Sequence, residues 1–467
     1  MSAPRLSQAS GPLWQNKVDH FPTYPRSEAP GVVHLGLGAF HRAHQAMVFD
    51  RLLASGDTRW GVHGVGMNHP TLVNALKTQD GLYAVRVADG RGVRWAVPGA
   101  LWRLDVAATH REAVVNAIAA PATRWVTLTV TEKGYTPELA RLLSDGLQLR
   151  WRAGLSGLTI ASCDNLKANG HVLKAMVLAE AKNALSDWIE ANCAFPCSMV
   201  DRIVPATSAA MQEAAREQLG VQDPTALSVE TFWEWVIEDH FADPADAALL
   251  AAQGVRVTQA VHAFEEAKLR MLNGSHTAMA LLGAITGRAH IADCIGQAHI
   301  RHFVERLMTR EVGPHLSRQD WPAYRDALVE RFGNPYLRHS VHQIAMDSSL
   351  KIPQRWPASV LAQLGKGAGV DHHALAAAAW LRYGLGVDER GQAYEIKDPA
   401  ADQLRALAAD QVDQPQACVR ALMSQSAWWG VELTTHQPWI DRVIHWHRCI
   451  LSQGADQAVE QLLHDIP

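Results

Sequence analysis

The alternation of apolar and polar positions changes character just past the midpoint of the chain. Before residue 256, short apolar runs alternate with longer amphipathic segments. Short apolar runs bounded by glycine or polar residues predict buried strands, and the segments between them predict the crossover helices of an open α/β sheet. The runs that predict strands are residues 32–35, 60–67, 125–130 and 158–162.

Beyond residue 256, strand-like runs largely disappear, and segments rich in Ala and Leu with helical spacing take their place. We therefore place a domain boundary at residues 253–258. This divides the chain into an N-terminal extension (1–30), a first domain (31–256) and a mainly α-helical second domain (257–467). Helical spacing is found in residues 372–383, 402–409 and 443–463.

A glycine turn follows the first apolar run directly. Residues 32–35 lead into Gly36 and Gly38, and helical spacing resumes at residues 43–54. In a dinucleotide-binding unit, the first glycine permits a tight turn, and the second lets the backbone approach a pyrophosphate at the helix N-terminus. His41 stands where the third glycine of the usual pattern would be. By itself, the motif is equally consistent with a cofactor loop and with an ordinary turn.

Polar residues follow the predicted strands, where ligands bind in open α/β sheets. Asn68 follows the second strand, in the place of the acidic residue that usually binds the ribose 2′-hydroxyl. Asn68 can hydrogen-bond a hydroxyl, and no arginine adjoins it to attract a 2′-phosphate, so we expect NAD rather than NADP. Further polar clusters follow the later strands, at residues 131–135 and 163–165. Either cluster is consistent with ligand binding or with a loop that satisfies its own backbone.

Residues 265–276 predict a helix that carries a lysine, an amide and an imidazole. At about 100° per residue, Asn273 lies roughly 140° and His276 roughly 80° around the helix from Lys268, so one broad face holds all three. A lysine whose pKa falls on burial is able to act as a base near neutral pH. The pattern predicts a proton-transfer site; the alternative is an exposed lysine beside two incidental polar residues.

Composition narrows the class of protein. The chain has 467 residues, 48% hydrophobic content and a net charge of −4, which indicates a globular protein of two or three domains without a polyanion-binding surface. No apolar run is long enough to span a membrane, and residues 1–30 are polar and proline-rich, so we expect a cytoplasmic protein. Cys193 and Cys197 have no second pair to complete a zinc site, and we expect no metal.

The motifs occur together and in one order, from residue 31 to the C-terminus. The segments at 36–46, 131–135, 162–165 and 268–276 together resemble the mannitol dehydrogenase family of polyol-specific long-chain dehydrogenases. The resemblance implies a Rossmann-type N-terminal domain, a mainly α-helical C-terminal domain, an active site between them and a nicotinamide cofactor without a catalytic metal. The segment between Gly134 and Asn165 looks shorter than in many members of the family.

The resemblance also implies roles for individual residues. Lys268 would be the general acid/base, Asn165 and Asn273 would polarise the reacting oxygen, and His276 would bind substrate. The residues expected to hold the cofactor are Gly36, Gly38, Phe40, His41, Arg42, Asn68, Glu132 and Asp201.

The family acts on polyols and on sugar acids, and a carboxylate substrate needs a cationic clamp. Arg331, Arg338, His339 and Arg355 are candidates for it, although each is also consistent with a surface or salt-bridge role. Residues 343–355 look more like the fructuronate reductase branch than the mannitol branch.

We expect NAD(H)-dependent interconversion of D-mannonate and D-fructuronate in a monomer or small homo-oligomer, without nucleic-acid or membrane partners. Mannitol 2-dehydrogenase or a related polyol activity is the alternative. A non-catalytic dinucleotide sensor is an alternative of another class.

Overall fold

The computed structural model describes residues 3–27, 29–90, 92–336 and 339–466. The predicted carboxylate ligand Arg338 lies outside the described residues. The chain divides into two compact units, Met1–His262 and Ala263–Pro467.

The described strands all belong to the first unit. They are β1 Val32–Leu35, β2 Val62–Gly66, β3 Val85–Asp89, β4 Gly92–Ala96, β5 Leu101–Val106, β6 Trp125–Leu128, β7 Thr159–Ser162, β8 Ser198–Asp201, β9 Leu227–Val229, β10 Glu234–Glu238 and β11 Arg256–Thr258.

Helices precede, connect and follow these strands, and the last of them crosses the boundary into the second unit. They are α1 Gly11–Trp14, α2 Ala39–Ala43, α3 Gln45–Ala54, α4 Thr71–Lys77, α5 Arg111–Ala119, α6 Pro137–Arg152, α7 Asn169–Glu180, α8 Ala184–Asn192, α9 Ala209–Leu219, α10 Asp246–Ala252 and α11 Val261–Ala267, with 3₁₀ turns at Gln15–Lys17, Thr58–Trp60 and Glu132–Gly134.

The central sheet of the first unit is parallel and has the order β5-β2-β1-β6-β7. This order corresponds to the first five strands of the doubly wound Rossmann fold, in which the direction of winding reverses between β1 and β6. The crevice outside the carboxyl ends of β1 and β6 is therefore the place where this architecture binds a ligand. All four sequence-predicted strands belong to this sheet, and the predicted fold class is confirmed.

Alternate residues of β1 face different hydrophobic cores. Val32 packs in one core with Phe49 of α3 and with Trp60, whereas Val33 packs in another with Leu143 of α6. Burying each large apolar side chain contributes about 1.5–3 kcal/mol. Because helices cover both faces, the strands of this sheet show continuous apolar runs rather than an alternating pattern.

Two smaller sheets complete the first unit, with the orders β11-β10-β8 and β4-β3-β9. A further apolar run within residues 195–205 forms β8, which pairs antiparallel with β10 in a sheet separate from the parallel one. The apolar run is a real strand, but strand direction and sheet membership depend on distant pairing that no local pattern reveals.

The described part of the second unit is helical. Its elements are π segments at Lys268–Asn273 and Leu307–Val312, a 3₁₀ turn at Gly313–His315, and the helices α12 Gly274–Ile285, α13 Ile291–Ile295, α14 Ala298–Arg306, α15 Trp321–Phe332, α16 Val341–Ala345, α17 Ser348–Arg355, α18 Pro357–Gly365, α19 Asp371–Tyr383, α20 Ala401–Ala408, α21 Pro415–Met423, α22 Ser426–Thr435, α23 Gln437–Gln453 and α24 Ala455–Asp465.

The predicted helix over residues 443–463 is two helices, because the chain turns at Gly454, whose φ is +88°. None of the described helices combines the length and the apolar character needed to cross a membrane.

Candidate active site

The turn after β1 requires glycine at its first position. Gly36 has φ of +93°, and a Cβ atom there would lie 2.3 Å from the carbonyl oxygen of Thr129. Gly38 precedes α2 and meets nothing closer than 3.6 Å, so its missing side chain leaves the start of the helix open. The first glycine is therefore a steric necessity, and the second leaves room for a ligand to approach the backbone.

Two cavities lie at the carboxyl ends of the parallel strands. One of about 600 Å³ is lined by Gly36, Arg42 and Thr129, and the other has a volume of about 680 Å³. Asn68 lines both cavities, together with Met67 and Val130. An open backbone turn at a helix start beside two joined cavities fits the pyrophosphate and the two nucleoside halves of a dinucleotide.

Two cationic side chains that the sequence reading missed line the larger cavity with Asn68. They are Arg111, at the start of α5, and Lys133, in the 3₁₀ turn after β6. Arg111 is also ion-paired with Asp145 at 2.5 Å. No sequence pattern identifies Arg111. It lies near Asn68 because β5 pairs with β2, which brings together the residues that follow the two strands.

Of the residues that follow Gly38, Phe40 and His41 pack against other rings, whereas Arg42 lines the smaller cavity. The His41 ring is fully buried and stacks on His34 with centroids 3.3 Å apart, and burial holds the pKa of His41 well below its usual value. Phe40 stacks on the His44 ring at 5.0 Å. Arg42 lines the smaller cavity and donates to the carbonyl oxygens of Gly38 and Thr225.

Asp164 fastens the loop that follows β6. Its carboxylate accepts hydrogen bonds from the backbone N–H groups of Val130 and Thr131, at 3.2 and 2.7 Å, and from the Tyr135 hydroxyl at 3.2 Å. Burial raises the pKa of Asp164 to about 6 against these hydrogen bonds. Thr131 has φ of +64°, a strained conformation for a β-branched residue, and such strain is typical of functional sites.

The other sequence-predicted residues of the first unit lie at strand ends. Glu132 is exposed beside Thr131, and Asn165 is exposed two residues beyond Cys163 in the loop after β7. Asp201 is buried at the end of β8, outside the parallel sheet. None of these three lines either cavity described above.

The predicted catalytic segment of the second unit contains a π segment instead of a regular α-helix. Residues Lys268–Asn273 form the π turn between α11 and α12. Lys268 is only 8% exposed, and His276, in the first turn of α12, is 6% exposed. Because a π-helix bonds residues five apart, Lys268 and Asn273 lie on nearly the same side of the helix.

The His276 imidazole lies in an aromatic enclosure. Its ring is 5.1 Å from the Phe332 ring and 5.4 Å from the His339 ring. Its Nε2 atom is buried and has no hydrogen-bond partner among the described residues. A buried polar atom of this kind is costly unless something pairs with it, and a substrate hydroxyl or carboxylate is suited to do so.

The charged groups that act on His276 are cationic. Burial is the main cause of its lowered pKa, followed by His339, Arg355, Arg331 and Lys351. The Arg355 guanidinium donates to the carbonyl oxygen of Asn273 at 3.1 Å and to the Thr277 hydroxyl. Burial lowers the pKa of His339 to about 4. A second imidazole and three cationic side chains are therefore among the groups that act on His276.

Comparisons with known proteins cover nearly the whole chain. The family model described as the mannitol dehydrogenase Rossmann domain matches residues 30–247, and that of the mannitol dehydrogenase C-terminal domain matches residues 260–448. D-mannonate oxidoreductase of Escherichia coli (strain K12) is 38% identical, over 92% of this chain and 95% of that protein. A mannitol 2-dehydrogenase of Phaeosphaeria nodorum is 36% identical, over 83% of this chain and 75% of that protein.

Solved structures give the same result. The mannitol 2-dehydrogenase of Pseudomonas fluorescens, solved as a ternary complex with NAD and D-mannitol, superposes with a TM-score of 0.87 at 28% identity. The match covers 99% of this chain and all of that one. A D-sorbitol dehydrogenase in substrate-free form superposes with a TM-score of 0.86 at 28% identity, over 97% of this chain.

Proposed function

The chain belongs to the mannitol dehydrogenase family of oxidoreductases, and from that premise we propose that it interconverts a hexonate and its keto form. The best-fitting pair is D-mannonate and D-fructuronate, with NAD(H) as the coenzyme. Lys268 exchanges the proton with the reacting hydroxyl. Because the family consists of oxidoreductases, membership favours an enzyme over the alternative of a non-catalytic dinucleotide sensor.

The first unit supplies the coenzyme site in this proposal. Gly36, Gly38 and Arg42 would hold the pyrophosphate side, and Asn68 would hydrogen-bond the adenosine ribose. A bound nicotinamide supplies the hydride acceptor for alcohol oxidation. Phe40 and His41 support the turn by packing, whereas Glu132 and Asp201 remain proposed coenzyme residues because of their place in the family motifs.

Lys268 has the chemistry and the surroundings of a proton-transfer group. In its neutral form it takes the proton of the substrate hydroxyl, and in its ammonium form it returns that proton in the reduction direction. Asn273, on the same side of the π turn, donates its amide N–H to the oxygen on which negative charge develops. Asn165 remains a proposed donor of the same kind because of its place in the family motifs.

One observation carries the choice of a sugar acid: cationic side chains are among the groups that act most strongly on the buried His276 imidazole. Arg331, Lys351 and Arg355 each act on this imidazole, which is itself buried and neutral. A carboxylate bound there gains charge-assisted hydrogen bonds to these side chains, which an uncharged polyol does not form. His276 and His339 then bind hydroxyl or carboxylate oxygens of the substrate.

A polyol substrate is the second candidate. The observation that favours it is the near-complete superposition on the Pseudomonas fluorescens mannitol 2-dehydrogenase, which was solved with D-mannitol. In that case, the cations beside His276 would serve packing and hydrogen bonding to the helix backbone, as Arg355 already does.

Initial rates at the NADH absorbance band test both candidates. The full chain is assayed with NAD⁺ and D-mannonate, D-altronate, D-mannitol, D-sorbitol or D-arabinitol at equal concentration. We expect a hexonate to give a kcat/KM at least tenfold above every polyol. If a polyol gave the highest kcat/KM, the sugar-acid proposal would be overturned. If none of these compounds were turned over, both hexonates and polyols would be contradicted as substrates.

A further inference from the structure

Three side chains with metal-binding atoms converge on the first unit. They are His171 in α7, Cys197 just before β8 and Glu238 at the end of β10. Their ligand atoms all lie within 4.8 Å of one another. None of the three lines the two cavities assigned to the coenzyme.

The β8–β10 pairing holds two of these residues in place. Cys197 and Glu238 exchange backbone contacts across the sheet, with the Glu238 N–H donating to the Cys197 carbonyl oxygen at 2.9 Å. The Cys197 N–H donates to Glu238 Oε2, also at 2.9 Å. A carboxylate has about four acceptor positions, so this hydrogen bond leaves capacity for a metal ion.

Close packing of α7 brings the third residue to them. The Asn169 side chain donates to the Ser198 carbonyl oxygen and accepts from the Ser198 N–H, each at 2.9 Å. A Cβ atom on Gly170 would lie 2.5 Å from the Phe195 carbonyl oxygen. Only a glycine permits this approach, and it sets the adjoining His171 beside the Cys197 thiol.

The donor set is a nitrogen, a sulfur and a carboxylate oxygen. These are the ligands that zinc takes, at about 2.0–2.3 Å each, which puts tetrahedral ligand atoms about 3.6 Å apart. The His171 side chain is exposed and therefore able to rotate across the remaining distance. Harder cations such as Mg²⁺ prefer all-oxygen sites.

We propose that His171, Cys197 and Glu238 form a non-catalytic binding site for Zn²⁺, with water as the fourth ligand. The bound ion joins α7 to the β8–β10 sheet. The sequence predicts no metal site, because Cys193 and Cys197 have no second pair of ligands nearby in the sequence. The present ligands come from three elements spread over 68 positions of the sequence, and no local spacing connects them.

Cobalt(II) titration of the metal-free full chain tests the site directly. A thiolate ligand gives a near-ultraviolet sulfur-to-cobalt charge-transfer band, and Zn²⁺ should displace the cobalt stoichiometrically. In the wild type, we expect the band to saturate at one equivalent of Co²⁺ per chain. Cys197→Ser should abolish the band, and His171→Ala should weaken Zn²⁺ affinity at least tenfold, since losses in outer-shell contacts alone cost 10–100-fold.

Cys449→Ser is the matched control. Cys449 is another partly exposed cysteine, whose sulfur lies 3.9 Å from His445 Nε2. This variant should keep the cobalt band and the zinc-dependent rise in melting temperature, and Cys197→Ser should lose both. Absence of a band in the wild type, or a band that survives Cys197→Ser but is lost in Cys449→Ser, would overturn the proposal.

Discussion

Lys268 and Asn273 are five residues apart in a π segment, so their side chains lie on nearly the same side of one helix. A regular α-helix would separate the same two residues by roughly 140°. The π turn therefore reduces the angle between an amine and an amide on a largely buried stretch of the second unit. This arrangement is the structural reason for assigning proton transfer to Lys268 and oxygen polarisation to Asn273.

Coenzyme selectivity should depend on Arg111. Its guanidinium lines the cavity that Asn68 also lines, where no acidic residue stands after β2 to repel a 2′-phosphate. We expect Arg111→Ala to lower kcat/KM with NADP⁺ about 10–100-fold, the equivalent of one lost charge-assisted hydrogen bond. The same constant for NAD⁺ should change less than threefold.

Arg152→Ala, which removes an exposed arginine at the end of α6, is the control and should change neither coenzyme's constant. Equal losses for NAD⁺ and NADP⁺ in Arg111→Ala would mean that this side chain does not contact the 2′ position.

The affinity for the coenzyme should weaken at acid pH through Asp164. Above its pKa of about 6, the carboxylate accepts the N–H groups of Val130 and Thr131 and holds the strained loop. Protonation below pH 6 removes acceptor capacity, so we expect the NADH dissociation constant to rise as the pH falls from 7 to 5. Fluorescence titration at each pH measures it. Asp164→Asn should bind more weakly at pH 7 and lose this pH dependence, whereas Asp413→Asn should behave as wild type.

The raised pKa of Asp164 also predicts how folding stability depends on pH. Here the effect has the opposite sign, because ionisation at higher pH disfavours the folded state. Because burial raises the folded pKa of Asp164 above its unfolded value, ionisation disfavours the folded state, and its contribution to stability is lost as pH rises from about 4 through about 6. Relative to Asp164→Asn, the wild type should therefore lose melting temperature across that window. Parallel melting curves for the two proteins between pH 4 and 7 would contradict the shift.

We expect Arg331 to determine the preference for a negatively charged substrate over an uncharged one. It is 7% exposed and among the cations that act on His276. We expect Arg331→Gln to raise KM for a hexonate about 10–100-fold, because a charge-assisted hydrogen bond is lost, and to leave the slower turnover of a polyol within about threefold. Arg301→Gln, an exposed position on α14, is the control. Equal losses for hexonate and polyol would assign Arg331 to folding instead of carboxylate binding.

Stability of the second unit should depend on Glu311. Its carboxylate accepts the backbone N–H groups of His372 and His373 at the start of α19, and it pairs with both imidazoles at 2.8 and 2.6 Å. Burial opposes ionisation, yet these hydrogen bonds lower its pKa. We expect Glu311→Ala to reduce the free energy of unfolding by about 3–5 kcal/mol, because two buried backbone N–H groups and two imidazoles would lose their hydrogen-bond partner.

Urea titration measures this loss, with the exposed Glu432→Ala as the control. Since the pKa of Glu311 is depressed on folding, its stabilisation is present above pH about 4.5 and is lost at lower pH. Equal stability of Glu311→Ala and the wild type at pH 7 would show that the pair contributes no net stability.

The sequence predicted the parallel strands and the two-domain order because both depend on local periodicity. The apolar run at residues 32–35 is β1 in full, and the run at 125–130 is β6 apart from its last two residues. Long-range pairing decided the rest. Arg111 enters the Asn68 cavity only because β5 pairs with β2, and β8 joins another sheet through β10.

The sequence predicted which residue types form the candidate site, but it did not predict how they are arranged. The lysine, amide and imidazole of residues 268–276 were identified, but a helical wheel assumes one rotation per residue and does not foresee a π turn. His41 illustrates another limit: its position in the glycine motif does not reveal that its ring stacks on His34 in the core, and its role in coenzyme binding stays a prediction.

The most direct test of the central proposal is the kcat/KM of Lys268→Ala across the pH range, with and without a small primary amine in solution. We expect a loss of about 10²–10⁴ at neutral pH, NADH binding within twofold of wild type, and partial recovery of turnover with added methylamine. Lys366→Ala, an exposed lysine of the same unit, should show none of these effects. Near wild-type turnover in Lys268→Ala would contradict proton transfer by this amine.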